Sequence, residues 1–215
     1  ATVHITILAI NDPPVANDDY YTTDEDTPVV IDVLANDTDV EDGVPELNAI
    51  ISQPSHGIAI INPNGTITYE PNENYYGEDS FVYEVIDSNG ATDTATVYIT
   101  ILAINDPPVA NDDYYTTDED KAVFINVSMN DYDVDGTIDL GSIVIVDYPS
   151  HGSLEIYANG TVKYTPDANC YGNDEFNYTI KDNDGAVSNV ATVHITILAI
   201  NDPPVANDDY YTTDE

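Results

Sequence analysis

Positive charge is almost missing from this sequence. Three lysines, Lys121, Lys163 and Lys181, and no arginine stand against 41 Asp and Glu in 215 residues, giving a formal net charge of −38. Nucleic acid and anionic membrane surfaces both need a basic face, so they are poor partners. Cysteine occurs once, at Cys170, which leaves no intrachain disulfide; its thiol is expected to sit as a small buried apolar group. No apolar run approaches the ~20 residues of a membrane-crossing helix, so no direct membrane insertion is expected. No secretory leader is visible, and the chain opens in mid-pattern. What is plentiful is apolar surface: 42% of the residues are apolar and 17 are Tyr, enough for a packed core instead of disorder. So much like charge opposes compaction unless something binds or screens it, and divalent cations are the natural candidates.

Self-similarity sets the organisation. The string ATVHITILAINDPPVANDDYYTTDE fills Ala1 to Glu25 and recurs unchanged from Ala191 to Glu215; a copy with Tyr98 in place of His runs from Ala95 to Glu119. Pro-Ser-His-Gly at Pro54 to Gly57 returns at Pro149 to Gly152, and Asn-Gly-Thr at Asn64 returns at Asn159. Two complete repeats follow, 11–104 and 105–200. Residues 1–10 read as the last strand of a preceding repeat and 201–215 as the start of a following one.

Each repeat reads as β throughout. Val3, Ile5 and Ile7 alternate with Thr2, His4 and Thr6, the period-2 pattern of a half-buried strand. Val29, Ile31 and Val33 alternate likewise, as do Phe81, Tyr83 and Val85, and Ile67 with Tyr69. Asn64-Gly65, Pro71-Asn72 and Asn89-Gly90 mark turns. About seven short strands in roughly 95 residues predict an all-β, Ig-like Greek-key sandwich, repeated in tandem. Asn-Asp-Pro-Pro, at Asn11, Asn105 and Asn201, cannot lie in mid-sheet, because proline gives no ladder hydrogen bond. It reads as a stiff, extended joint between sandwiches.

Three acidic clusters recur in register. The joint supplies Asn11 and Asp12, then Asn105 and Asp106, with Asn17-Asp18-Asp19 and Asn111-Asp112-Asp113 close behind. A loop supplies Asp37, Asp39 and Asp42, matched by Asp131, Asp133 and Asp135; a second supplies Asp87, matched by Asp182. Asp24-Glu25-Asp26 and Asp118-Glu119-Asp120 lie between the first and second clusters. Asx residues at alternate positions in glycine-ended loops offer the six to eight oxygens that Ca2+ takes. Two unpaired carboxylates about 4 Å apart repel by about 4 kcal/mol at an effective dielectric near 20, so gathering several favours a bound cation. Histidine and thiolate are nearly absent from the clusters, which argues against zinc or copper. The plainer reading is that Asx-Gly loops are ordinary turns on a solvated acidic surface. The spacing is not that of an EF-hand.

These residues carry a resemblance. Asn-Asp-Pro-Pro-Val-Ala-Asn-Asp-Asp, then Thr-Asp-Glu-Asp-Thr, then Asp-Val-Leu-Ala-Asn-Asp-Thr-Asp resembles the bacterial cadherin-like repeat family, found in tandem in very large surface and secreted adhesins. The joint is also similar to the Asp-x-Asn-Asp-Asn-x-Pro linker of animal cadherins, where calcium is held between successive domains. The resemblance implies that Asn105 and Asp106 serve the joint between the repeats. Glu25 and Glu119 match the acidic residue near the first strand, and Asp131 and Asp133 match the Asp-x-Asp pair of the following domain. The chain departs from that pattern in having Ala9 or Ala103 before Asn-Asp, and in having no Asp-Arg-Glu motif.

The expectation is a non-enzymatic, extracellular or cell-surface section of a long protein or filament. Calcium would stiffen it at the joints, and its partners would be neighbouring repeats of the same or identical chains. The alternative is a binding module whose exposed loops and Tyr residues take carbohydrate or another surface protein. An aromatic-lined groove at the same place in both repeats would favour that module. His56 and His151 are expected to serve their turns. Tyr20-Tyr21, Tyr75-Tyr76 and Tyr114-Tyr115 are expected to point one ring inward and one outward on a strand. Five Asn-x-Ser/Thr sequons, at Asn36, Asn64, Asn126, Asn159 and Asn177, permit glycosylation.

Overall fold

The structure, a computed structural model, describes residues 2–4 and 10–215. The strand expected over residues 1–10 therefore lies largely outside the described residues. Residues 201–215, expected to open a further repeat, are exposed and form no strand. The chain divides into two units, Ala1–Ile104 and Asn105–Glu215, and the described residues contain no helix.

Unit 1 holds β1 (Asp19–Asp24), β2 (Val29–Ile31), β3 (Glu46–Ser52), β4 (Gly57–Ile61), β5 (Ile67–Pro71), β6 (Gly77–Ile86) and β7 (Thr92–Leu102). One sheet runs β1-β7-β6-β3 and the other β2-β5-β4. Unit 2 repeats this with β8 (Asp113–Asp118), β9 (Val123–Asn126), β10 (Ile138–Asp147), β11 (Gly152–Ile156), β12 (Thr161–Pro166), β13 (Gly172–Asp182) and β14 (Ala191–Leu198). Its sheets run β10-β13-β14-β8 and β11-β12-β9. In both units the first strand pairs parallel with the last, and every other pairing is antiparallel. The parallel pair sets Asp24 opposite Leu102, so the chain comes off its last strand beside the end of its first.

The core forms where the period-2 pattern places it. Phe81, Tyr83 and Val85 of β6 and Val97, Ile99 and Ile101 of β7 meet Ile31, Ala59, Ile67 and Tyr69 from the facing sheet. Each large side chain fully removed from water contributes about 1.5–3 kcal/mol. The second core is built in the same way around Phe176, Tyr178, Ile125 and Tyr164.

The recurring Pro-Ser-His-Gly segment has a packing cause. A Cβ on Gly57 would lie 2.6 Å from the Tyr69 ring and 2.6 Å from the Glu70 carbonyl; on Gly152 it would lie 2.5 Å from the Tyr164 ring. Glycine thus leaves the room in which the tyrosine lies. Two expectations change in detail. Tyr75-Tyr76 precedes β6 and does not lie on a strand: Tyr75 stacks on His56 with ring centroids 3.9 Å apart, while Tyr76 is exposed. Cys170, at the matching position in unit 2, is half-buried, because the turn it occupies lies just outside β13.

Candidate metal centre at the leading end of each repeat

Where the chain enters unit 1, the joint, the 36–43 loop and the loop after β6 are tied together. Val15 bridges to Thr38, and Asp39 to Gly43. The Asn11 side-chain amide donates to Asp87 Oδ2 at 2.7 Å, and the Ser88 amide donates to Asp42 Oδ2 at 2.8 Å. Unit 2 repeats the plan: Asn105 donates to Asp182 Oδ2 at 2.7 Å, and the Asp106 amide to Asp135 Oδ2 at 3.3 Å. The structure therefore gathers Asn11, Asp39, Asp42 and Asp87 at one end of the first repeat, and Asn105, Asp106, Asp133, Asp135 and Asp182 at the same end of the second. Asp12 is exposed on the joint.

The carboxylates differ in what they have left to offer. Asp182 Oδ1 accepts the amides of Asp184, Gly185 and Ala186 while Oδ2 holds Asn105. The Asn105 side chain, then those amides, hold Asp182 below the usual carboxylate range, and Asn11 does the same for Asp87. A carboxylate has about four lone-pair positions, so these two act as the frame. Asp39 and Asp133 are the reverse. Asp39 Oδ1 caps its own loop, accepting from Glu41 and Asp42 at 2.8 and 2.7 Å, while its Oδ2 is buried with no hydrogen-bond partner. Asp133 Oδ1 likewise accepts from Asp135 and Gly136, and its Oδ2 is again buried and unpartnered. An uncompensated buried anionic oxygen is costly, and a hard cation is the partner its chemistry fits.

Two groups of expected residues are placed differently within their own repeats. Glu25 and Glu119 stand at the opposite, trailing ends of their own repeats, where each Oε1 accepts from the departing chain: Ile104 at 2.6 Å and Ile200 at 2.5 Å. Asp37 and Asp131 turn toward the core. Asp37 accepts from the Asn17 amide at 2.7 Å and from the Tyr83 hydroxyl at 3.0 Å; Asp131 does the same with Asn111 at 2.8 Å and Tyr178 at 3.0 Å. Asp19 and Asp113, which are buried, face the same hydroxyls. Burial, then the neighbouring carboxylates, raises both phenols, so they remain donors.

This internal pair has a pH signature. Burial, offset in part by the Tyr83 hydrogen bond, pushes Asp19 up to about 6; burial and the Asp131 charge push Asp113 up to about 7. A folded-state value above the unfolded one means that the folded state holds the proton more tightly. The stabilisation is complete below the unfolded value of about 4 and is lost as pH rises through 6 to 7. Calcium-free protein should therefore melt at a higher temperature at pH 5 than at pH 8. Replacing both residues by Asn should flatten that difference, and a profile that the double variant leaves unchanged would refute the assignment.

Residues that the sequence reading gave no site role complete the picture. Asp79 accepts the Ser55 and Ser80 amides on Oδ1, and the His56 amide and Tyr69 hydroxyl on Oδ2. Asp174 does the same with Ser150, Glu175, His151 and Tyr164. The alternation contained the signal: Asp79 is in phase with Phe81, Tyr83 and Val85, so it had to face inward. The turn role expected of Pro-Ser-His-Gly is thus met by its backbone amides.

Residues 11–100 match the Bacterial Ig domain family and residues 105–199 the Bacterial cadherin-like domain family. The two units are tandem all-β repeats of this bacterial Ig and cadherin-like kind, and both families are adhesion-type domains, generally non-enzymatic. The chain is 30% identical over 230 residues to Integrin beta-like protein A of Dictyostelium discoideum, covering 91% of this chain and 12% of that protein. It is 37% identical over 89 residues to Protein GAMETE EXPRESSED 2 of Arabidopsis thaliana, covering 41% of this chain and 9% of that one. The chain thus spans only a small part of the curated relatives it matches. Among solved structures, Drosophila N-cadherin EC1-4 aligns over 87% of this chain and 50% of its own, at 14% identity and a TM-score of 0.48.

Proposed function

We propose that each leading end binds calcium and that the ion stiffens the joint, so that the chain serves as a spacer in a long extracellular surface protein or filament. The observation that carries this reading is the buried, unpartnered Oδ2 at the same place in both repeats, on Asp39 and Asp133. Asp42 and Asp135, the flanking joint residues Asp12 and Asp106, and the amide groups of Asn11 and Asn105 complete an all-oxygen donor set. The ion would supply the positive charge that the chain itself lacks. Because joint and loop residues share it, it would restrain the joint against its own repeat. Glu25 and Glu119, which accept from the Ile104 and Ile200 amides, would hold the outgoing chain at the end of their own repeats. Cadherin-like domains typically bind calcium and engage neighbouring repeats. The near-identical joint segment that recurs at Ala1, Ala95 and Ala191 suits a spacer whose joints are chemically alike.

Small-angle scattering of the two-repeat chain tests the stiffening. Excess calcium should give a larger and narrower distribution of dimensions than excess chelator, beyond what salt screening at matched ionic strength produces. Superimposable curves in the two conditions count against the proposal.

A further inference from the structure

Both repeats carry a groove at the same place on the sheet that contains the first and last strands. In unit 1 it is lined by Ser55, His56, Glu78, Asp79, Ser80 and Tyr98, with a volume of about 260 Å³. The positions that match these six in unit 2, Ser150, His151, Asn173, Asp174, Glu175 and His194, all line a groove of about 530 Å³ there. The larger groove takes in Tyr114, Ile195 and Thr196 as well; Asn173 and His194 replace the larger Glu78 and Tyr98, while Glu175 replaces the smaller Ser80. At about 530 Å³ it lies within the size range of small-ligand sites.

The walls of the unit 2 groove are of two kinds. One is aromatic: Tyr114 of β8 stacks on His194 of β14 with ring centroids 4.9 Å apart and planes 22° from parallel. Tyr114 remains 74% exposed, so the pair forms a preset platform with a ring face open to the groove. The other wall is polar but nearly free of uncommitted charge. Asp174 is buried and spends both oxygens on Ser150, His151, Glu175 and Tyr164. Glu175 lies 3.3 Å from the His194 imidazole. What remains is the Ser150 hydroxyl, the Asn173 amide and the outer imidazole of His151, all on exposed residues.

We propose that this groove in the second repeat binds a neutral saccharide. A pyranose has an apolar C–H face that lies on an aromatic ring and a rim of hydroxyls that pairs with amide, hydroxyl and carboxylate groups; the two walls match these two faces. The net charge of −38 repels sulfated and uronic chains. A basic peptide would want several free carboxylates, and with Asp174 spent the groove offers only Glu175, which lies against His194. The proposal does not depend on calcium at the joints.

Four histidines in the whole chain give a sparse set of imidazole resonances to watch. The full chain is titrated with four neutral tetrasaccharides, derived from cellulose, laminarin, mannan and chitin, alongside a sulfated tetrasaccharide and a Lys-rich peptide. At least one neutral tetrasaccharide should move the His151 and His194 signals and leave His56 in place. Tyr114→Ala should weaken that binding by about tenfold, the size of one stacking contact. Tyr114→Phe should keep it, and Tyr20→Ala, at the matching position in unit 1, should not affect it. The proposal is overturned if no neutral tetrasaccharide moves the two signals. It is equally overturned if the peptide or the sulfated chain binds better, or if Tyr114→Ala retains full affinity.

Discussion

Chelating calcium should lower the melting temperature of the chain by about 10–20 °C. A ligand present at a hundredfold excess over its dissociation constant stabilises its host by ~2.7 kcal/mol, and a domain of this size shifts by about 4–8 °C for each kcal/mol. Like-charge repulsion adds to the loss in a chain of net charge −38. Asp39→Ala and Asp133→Ala should each reproduce the loss in their own repeat, and chelator should have little further effect on the double variant. Differential scanning calorimetry of the four proteins checks this. Equal melting with calcium and with chelator would remove the stabilising role, and a double variant still fully responsive to calcium would place the ion elsewhere.

The second large effect belongs to a carboxylate at the other end of β6 from the candidate metal centre. Asp79→Ala should destabilise unit 1 by at least about 3 kcal/mol, because it strands the Ser55, His56 and Ser80 amides and the Tyr69 hydroxyl together. Such a loss corresponds to ~12 °C or more in the melting of that repeat. Asp79→Asn should recover part of it, since an amide oxygen still accepts. Unit 2, with its own Asp174, should melt unchanged, so the scan should split into two transitions. A single unshifted transition would show that the surrounding donors find water instead.

How much of this was legible depends on which pattern carried the information. Strand identity was, because Phe81, Tyr83 and Val85 announce their face by period alone, and a strand with one buried face has no other register to adopt. The recurrence of Asp39 and Asp133 in glycine-ended loops was legible as chemistry. The division of labour among the acids was not. Asp37 and Asp39 are two residues apart and look equivalent in sequence. One caps its loop and leaves an oxygen over, while the other turns inward to a tyrosine hydroxyl. That difference comes from Tyr83 on β6, 46 residues away, and no local pattern reports it. Asp79 shows the opposite case: its phase with the core residues was visible, but charge argued for the surface. Three of the four donors that reverse the argument, Ser55, His56 and Tyr69, belong to a turn and a strand that only folding brings to Asp79.

The central claim is that Asp39 and Asp133 each hold calcium. Isothermal titration of chelator-stripped protein with calcium tests it most directly, set beside Asp39→Asn and Asp133→Asn, which keep the shape and remove the charge. The account predicts saturable binding at about 10⁻⁴–10⁻³ M, as for extracellular calcium modules. Each single variant should lose one class of site, and the double variant should show only weak, non-saturating heats. Saturable binding that survives both substitutions, or its absence from the parent chain, would contradict the account.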